Sequence, residues 1–342
     1  MGDSLTEEQI QRAESVGLKT DKVLELLHRV QREVEEGLLP SAQVAIARDG
    51  KVGVFESYGS ARSDSLTCIF SATKAITSSA AWILIQEGKL SEDEIVADIV
   101  PEFGTNEKDQ ITVEQLFTHT AGFPSAPFAP LDWLNKEKRY GRFAKWRLNW
   151  EPGSRYEYHP SSSMWVIGEI IERRGEQSYT EFVKEKVLDP LGLTNLIVGM
   201  SEEQSRRALD VAHSGDPLTS EDYAKMGIPE PPITEVTEEA LLNFNRAEIQ
   251  AVGVPGGGGY ANAHDLALFY QALLYGGLGD VQIWSEETLN SARKVRSGEL
   301  RDPLFGQLAN RGLGIIISGD ENRNFRGFGK TNSPSAFGHN GA

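Results

Sequence analysis

Residues 71–90, SATKAITSSAAWILIQEGKL, predict one long helix that Gly88 stops. Its segment AAWILI is the most apolar helical stretch of the chain. Such a helix has to be buried, with its first turn at the boundary of the body that buries it. The rest of the chain must supply the cover. Upstream, Val23, Leu26, Leu27, Val30 and Val34 recur at helical spacing until Gly37, which predicts a helix over 21–36. Two apolar runs then flank Asp49-Gly50, a strong hairpin signal, and predict strands near 42–48 and 51–58. From about 90 to 255 the chain carries helical stretches such as SSSMWVIGEIIERRG and YTEFVKEKVL between loops rich in Pro and Gly, with no convincing strand pair. After the run PGGGG, Asn262 caps a helix to about 275, and SEETLNSARKV forms another. GLGIIISG and SAFGHN return to strand character. The order predicts an α/β lobe built from both chain ends, about 20–88 and 256–342, with a mostly helical lobe, about 89–255, inserted between them. Residues 1–19 precede this single domain as an extension. Active sites often lie at such lobe boundaries.

The formal net charge of −16 argues against nucleic acid or an anionic membrane surface as a partner, and no local run of Lys and Arg makes an exception. Cys68 is the only cysteine, so an internal disulfide and a zinc site built on cysteine pairs are excluded. The six histidines show no HxH or HExxH spacing, and neither a metal nor a cofactor is expected. No apolar run reaches the length of a membrane span, and MGDSLTEEQIQR has no apolar core of signal-peptide length. The simplest expectation is a cytoplasmic protein acting on a small molecule. The oligomeric state is left open.

Ser71 and Lys74 sit at i and i+3 at the head of the buried helix, on one face. A serine hydroxyl needs a base to become a nucleophile. A lysine can be that base if burial lowers its pKa, and a helix N-terminus adds N–H groups where an oxyanion forms. The plain alternative is an N-cap serine beside a surface lysine. A second S-x-x-K, Ser291 to Lys294, reads as a solvated helix face. In EPGSRYEYHPSSS, Tyr158 stands at a helix entrance. It can serve as a base if a cation such as Lys74 lowers its pKa, or it can simply pack. His119, in LFTHTAGFP, reads first as a hydrogen-bonded structural residue. Gly329-Lys330-Thr331 looks like the end of a phosphate loop, but Pro334 prevents the helix that should follow. No G-x-S-x-G occurs.

Taken in order, LLPSAQVAIARDGKV, FSATKAIT, ITVEQLFTHTAGFP, EPGSRYEYHPSSSMWVIGEIIE, VPGGGGYANAHDLALFYQALL and FGHNGA resemble the serine β-lactamase and penicillin-binding-protein superfamily. The branch they look most like is that of class C β-lactamases and family VIII carboxylesterases. The resemblance spans about 20–342. It implies a β-lactamase/transpeptidase-like fold, an antiparallel sheet lobe with an inserted helical lobe. It also implies Ser71 as acylated nucleophile, Lys74 as the group that accepts or relays its proton, and Tyr158 as the activator of Ser71 and then of water. His339-Asn340-Gly341 falls where the family has Lys-Thr-Gly and is implied to bind substrate. The oxyanion N–H groups are implied to be those of Ser71 and Ala342.

The chain departs from the family pattern in two motifs. Tyr158-His159-Pro160 stands for the usual Tyr-x-Asn, and one of Ser161 to Ser163 is a guess at the replacement. His339 stands for lysine, and a histidine is not a fixed cation at neutral pH. That favours a carboxylesterase acting on short, neutral acyl esters over a β-lactamase or D-amino-acid peptidase. A non-catalytic binding protein on the same fold is the third alternative. A rival third motif at Lys330-Thr331-Asn332 keeps the lysine but loses the glycine. Relatives continue beyond FGHNGA with further strands and a closing helix, so the expectation is a partial chain.

Overall fold

The computed structural model describes residues 4–227, 229, 230, 237–319, 323 and 326–342. The chain starts with helices α1 (Glu7–Ser15) and α2 (Thr20–Glu35). Strands β1 (Ser41–Arg48) and β2 (Lys51–Gly59) follow as an antiparallel hairpin, with Arg48 opposite Lys51 and a register shift at Ile46/Ala47. Its turn has φ of 52° at Asp49 and 73° at Gly50. Both central residues are left-handed, as the favoured two-residue hairpin turn demands. Ala13, Val23, Leu27 and Val54 form a small core under this hairpin, so the N-terminal residues cover its strands.

Strand β3 (Thr67–Cys68) leads through a 3₁₀ turn, Phe70–Ala72, into α3 (Thr73–Gln86). The inserted region supplies α4 (Val113–Phe117), α5 (Lys136–Lys145), α6 (Ser162–Gly175) and α7 (Tyr179–Val183). It also supplies a strand that periodicity did not reveal, β4 (Leu196–Val198). That strand is three residues long and its partner lies outside the region: β5 (Gly259–Ala261) pairs with both β3 and β4, in the order β3-β5-β4. Helix α8 (Ala247–Val252) precedes the glycine run, and α9 (Ala263–Tyr275) follows it, capped by the Asn262 side chain. Helix α10 (Glu286–Ala292) comes next, and β6 (Ile316–Ile317) pairs antiparallel with β7 (Phe337–Gly338). Helix α9 packs on β1, with Gln271 accepting from the Gly50 N–H at 3.0 Å. None of the described helices is long and apolar enough to cross a membrane.

Every residue of α3 from Thr73 to Leu84 is buried. Its apolar side chains share one continuous core with Phe117 of α4, Trp165 and Ile170 of α6, Phe269 and Leu273 of α9, and Leu289 of α10. A helix covered on all sides has no polar face, so its hydroxyls need internal partners. Thr77 donates to the Pro255 carbonyl at 2.7 Å, and Thr73 Oγ1 accepts the Gly259 N–H at 2.8 Å. The cover also comes very close. A Cβ at Gly314, where φ is 76°, would lie 1.9 Å from Ser78 Oγ, so only glycine fits there.

Trp82, 1% exposed, fills this core and donates from its indole N–H to the Leu313 carbonyl at 3.2 Å. Trp82→Ala is expected to lower stability by about 3–5 kcal/mol in urea unfolding.

Candidate active site

The 3₁₀ turn before α3 delivers Ser71 to the surface of a cavity of about 810 Å³. Ser71 therefore precedes the α-helix rather than opening it, and the turn is tight: Phe70, a non-glycine residue, has φ of 42°. Such a backbone costs of order 1–3 kcal/mol and persists only where the surroundings enforce it. Two features enforce it here. Phe70 packs edge-on against Phe244, and a Cβ at Gly341 would lie 2.4 Å from the Ile69 carbonyl oxygen. The segment His339–Ala342 thus passes directly against the backbone that presents Ser71, which is why position 341 is a glycine.

Lys74 is fully buried in the first turn of α3. Its Nζ lies 3.1 Å from Ser71 Oγ, 2.6 Å from the Pro160 carbonyl oxygen and 2.8 Å from the Gly256 carbonyl oxygen. Among the described residues the amine forms no ion pair. Burial, and then the positive charge of Arg311, hold its pKa well below the usual lysine value. Nζ thus has three hydrogen-bond partners, the two carbonyls and the serine hydroxyl, while burial disfavours its charged form. The glycine run finds its reason here. Gly256 offers its carbonyl to Lys74, and a Cβ at Gly259 would lie 2.7 Å from Thr73 Oγ1.

Tyr158 lines the same cavity as Ser71 and interacts with its side chain. Lys74 Nζ is 5.0 Å from the Tyr158 ring centre and Arg311 Cζ is 5.2 Å from it. The condition under which Tyr158 would start as a base, a cation lowering its pKa, is not met. Burial dominates and raises it, while the Ser71 bond and Arg311 offset only part of that rise. The opposing cation is Arg311, not Lys74. At neutral pH Tyr158 is a phenol, while the shift at Lys74 runs toward its neutral form.

The second motif is otherwise structural. His159 is buried, accepts the Phe123 N–H at 3.1 Å through Nε2, and donates from Nδ1 to the Glu157 carbonyl at 2.7 Å. Burial pushes its pKa down to about 3. Pro160 contributes its backbone carbonyl to Lys74. The serines do not replace the missing amide: Ser162 donates to the Phe123 carbonyl at 2.9 Å, and none of Ser161 to Ser163 lines the cavity.

In the third motif, His339, Asn340, Gly341 and Ala342 line the same cavity as Ser71 and Tyr158. Tyr270 of α9 positions this segment, accepting the His339 N–H at 3.0 Å. His339 Nδ1 donates to the Asn340 carbonyl at 2.7 Å, which leaves the Nε2 lone pair 3.4 Å from Arg311 Nη1. Burial, and then the positive charge of Arg311, push its pKa well down, so it is a neutral acceptor. The rival motif at Lys330-Thr331-Asn332 is exposed and does not reach the cavity. The second S-x-x-K is remote too. Ser291 bonds Glu92 and Arg296, and Lys294 is exposed.

Arg311 is the site residue that motif reading missed. It is 8% exposed, lines the cavity, and donates to the Tyr156 hydroxyl through Nε at 3.1 Å and Nη2 at 2.8 Å. Among the described residues it forms no ion pair. The signal available was an arginine placed immediately before the apolar run GLGIII, where a charge is normally excluded.

An antiparallel-strand lobe, an inserted helical region and an S-x-x-K pair at the head of a fully buried helix define the β-lactamase/transpeptidase-like fold. The family model for Beta-lactamase matches residues 27–342, and the chain belongs to that family. It is accordingly a serine hydrolase of β-lactamase fold. The solved structure of EstA from Arthrobacter nitroguajacolicus Rue61a is 26% identical, with a TM-score of 0.76, over 94% of this chain and 85% of that one. A family VIII carboxylesterase structure has the same fold at 24% identity and a TM-score of 0.74, covering 99% of this chain and 87% of that one. An Escherichia coli (strain K12) protein, provisionally described as a D-alanyl-D-alanine carboxypeptidase, is 25% identical over 96% of this chain and 79% of its own length.

The depressed Lys74 pKa fixes the sign of the pH profile. With Lys74 as the base, kcat/KM is expected to rise with pH as the amine loses its proton and to level off well below pH 10.5. A profile still climbing in step with an unperturbed lysine would exclude Lys74 as the base.

Proposed function

We propose that this chain is a carboxylesterase that hydrolyses short acyl esters through an acyl-enzyme on Ser71. The carrying observation is the Lys74 amine, buried without a counter-ion and 3.1 Å from Ser71 Oγ. In acylation the Ser71 oxygen attacks the ester carbonyl while its proton passes to Lys74. The oxyanion is held by the backbone N–H groups of Ser71 and Ala342. The C–O ester bond then breaks, and the leaving alkoxide takes a proton from Tyr158, which is recharged from Lys74. In deacylation a water attacks the acyl carbon, its proton returns through the same pair, and Ser71 is released with the carboxylic acid. Tyr158 is thus a proton carrier that starts as a phenol, and Lys74 is the resting base. His339, Asn340 and Gly341 form the wall along which the ester lies.

A second reading, a β-lactamase or D-amino-acid peptidase, draws on Arg311. Its fixed charge in the cavity wall can meet a substrate carboxylate, a task for which His339 is unsuited. A chromogenic cephalosporin separates the two readings, since efficient turnover favours the second.

Ser71→Ala is expected to lower 4-nitrophenyl acetate turnover by at least about a thousandfold, and Tyr158→Phe by about a hundredfold or more. Intact-protein mass spectrometry after a fluorophosphonate probe should place one adduct on Ser71. A folded chain that takes no adduct would favour a binding protein on this fold.

A further inference from the structure

His119 is absorbed by none of the chemistry above, yet its geometry is costly. It follows α4 with φ of 59°, in the left-handed region that a non-glycine residue avoids. It is 1% exposed, and its Nε2 has no hydrogen-bond partner among the described residues. A leucine would fill the same volume without the unpaired donor, so packing alone does not account for an imidazole there.

Its contacts converge on Tyr158 from three directions. The backbone carbonyl of His119 accepts the Glu157 N–H at 3.2 Å. Its side-chain Nδ1 accepts the His159 N–H at 3.2 Å. Its ring lies 4.7 Å from the Tyr158 ring, centre to centre and tilted by 53°. One residue therefore holds the peptide on both sides of Tyr158 and braces its ring. The Nδ1 contact requires a neutral imidazole with the proton on Nε2. Burial and the neighbouring cation Arg311 hold His119 in that neutral state.

We propose that His119 is a positioning residue that fixes the Tyr158 phenol against Ser71, its carbonyl and Nδ1 acting as paired acceptors for the backbone on either side. The consequence for the reaction rests on the proton-carrying role given to Tyr158 above; the positioning itself does not.

The test uses two substitutions in the full chain. His119→Leu keeps bulk and removes the acceptor. His119→Asn removes the ring but keeps an acceptor at the same distance from the backbone, and asparagine tolerates the left-handed conformation. With 3-fluorotyrosine incorporated and the Tyr158 ¹⁹F resonance assigned through Tyr158→Phe, a single sharp line is expected for the wild type. His119→Leu should broaden or split that line, and His119→Asn should restore a single one. With 4-nitrophenyl acetate, His119→Leu should lower kcat by about tenfold or more with little change in KM, and His119→Asn should recover most of the loss. In the Tyr158→Phe background, His119→Leu should lower kcat no further.

An unchanged Tyr158 line in His119→Leu overturns the proposal, as does an equal loss of kcat with and without Tyr158. If His119→Leu does not fold, a split Tyr158 line in His119→Asn overturns it. Full turnover by Tyr158→Phe would instead remove the role given to Tyr158 and leave the ¹⁹F result to decide the positioning.

Discussion

The site depends on an amine that has been taken out of water. Lys74 is buried because α3 is buried, and α3 is buried because its residues offer solvent no polar face. Moving an ammonium into such a place costs several kcal/mol unless a counter-charge comes with it. None does among the described residues, so burial pulls the group toward its uncharged form. The two carbonyls of Pro160 and Gly256 then fix the amine, so that its one remaining site points at Ser71. The nucleophile and its base thus follow from how the helix is covered.

The same desolvation acts on the neighbours. Tyr158 stays a phenol, and His119, His159 and His339 stay neutral. Arg311 stands beside them with its positive charge. It reinforces the neutrality of His119 and His339, opposes that of Tyr158, and lines the cavity beside His339. In the reaction proposed above a proton moves between Lys74 and Tyr158, with no carboxylate in the relay. It differs in that respect from a serine, histidine and aspartate relay, where a buried carboxylate holds the base.

Much of the scaffold was legible. The apolar run after Ser71 showed a buried helix, Asp49-Gly50 showed the hairpin turn, and Asn262 showed a cap, because each is a local signal with a local cause. Strand β4 was not legible, since three residues carry no periodicity and its pairing depends on β5, some sixty positions away. The sign of the Tyr158 shift was not legible for a related reason. Sequence spacing can bring a cation near a phenol, but only the enclosed volume decides whether attraction or desolvation is larger. Arg311 was passed over because its role lies in what surrounds it, not in a motif.

The sequence by itself determined that a serine and a lysine would share the head of a buried helix, since a period of 3.6 residues and an apolar run are written in the order of the residues. Only the tertiary structure decided which state those groups occupy. The Pro160 and Gly256 carbonyls, Tyr158, Arg311 and the segment ending at Ala342 come from distant parts of the chain. Whether an amine is charged depends on the water and the charges within a few ångströms of it, and that shell exists only once the chain has closed around it.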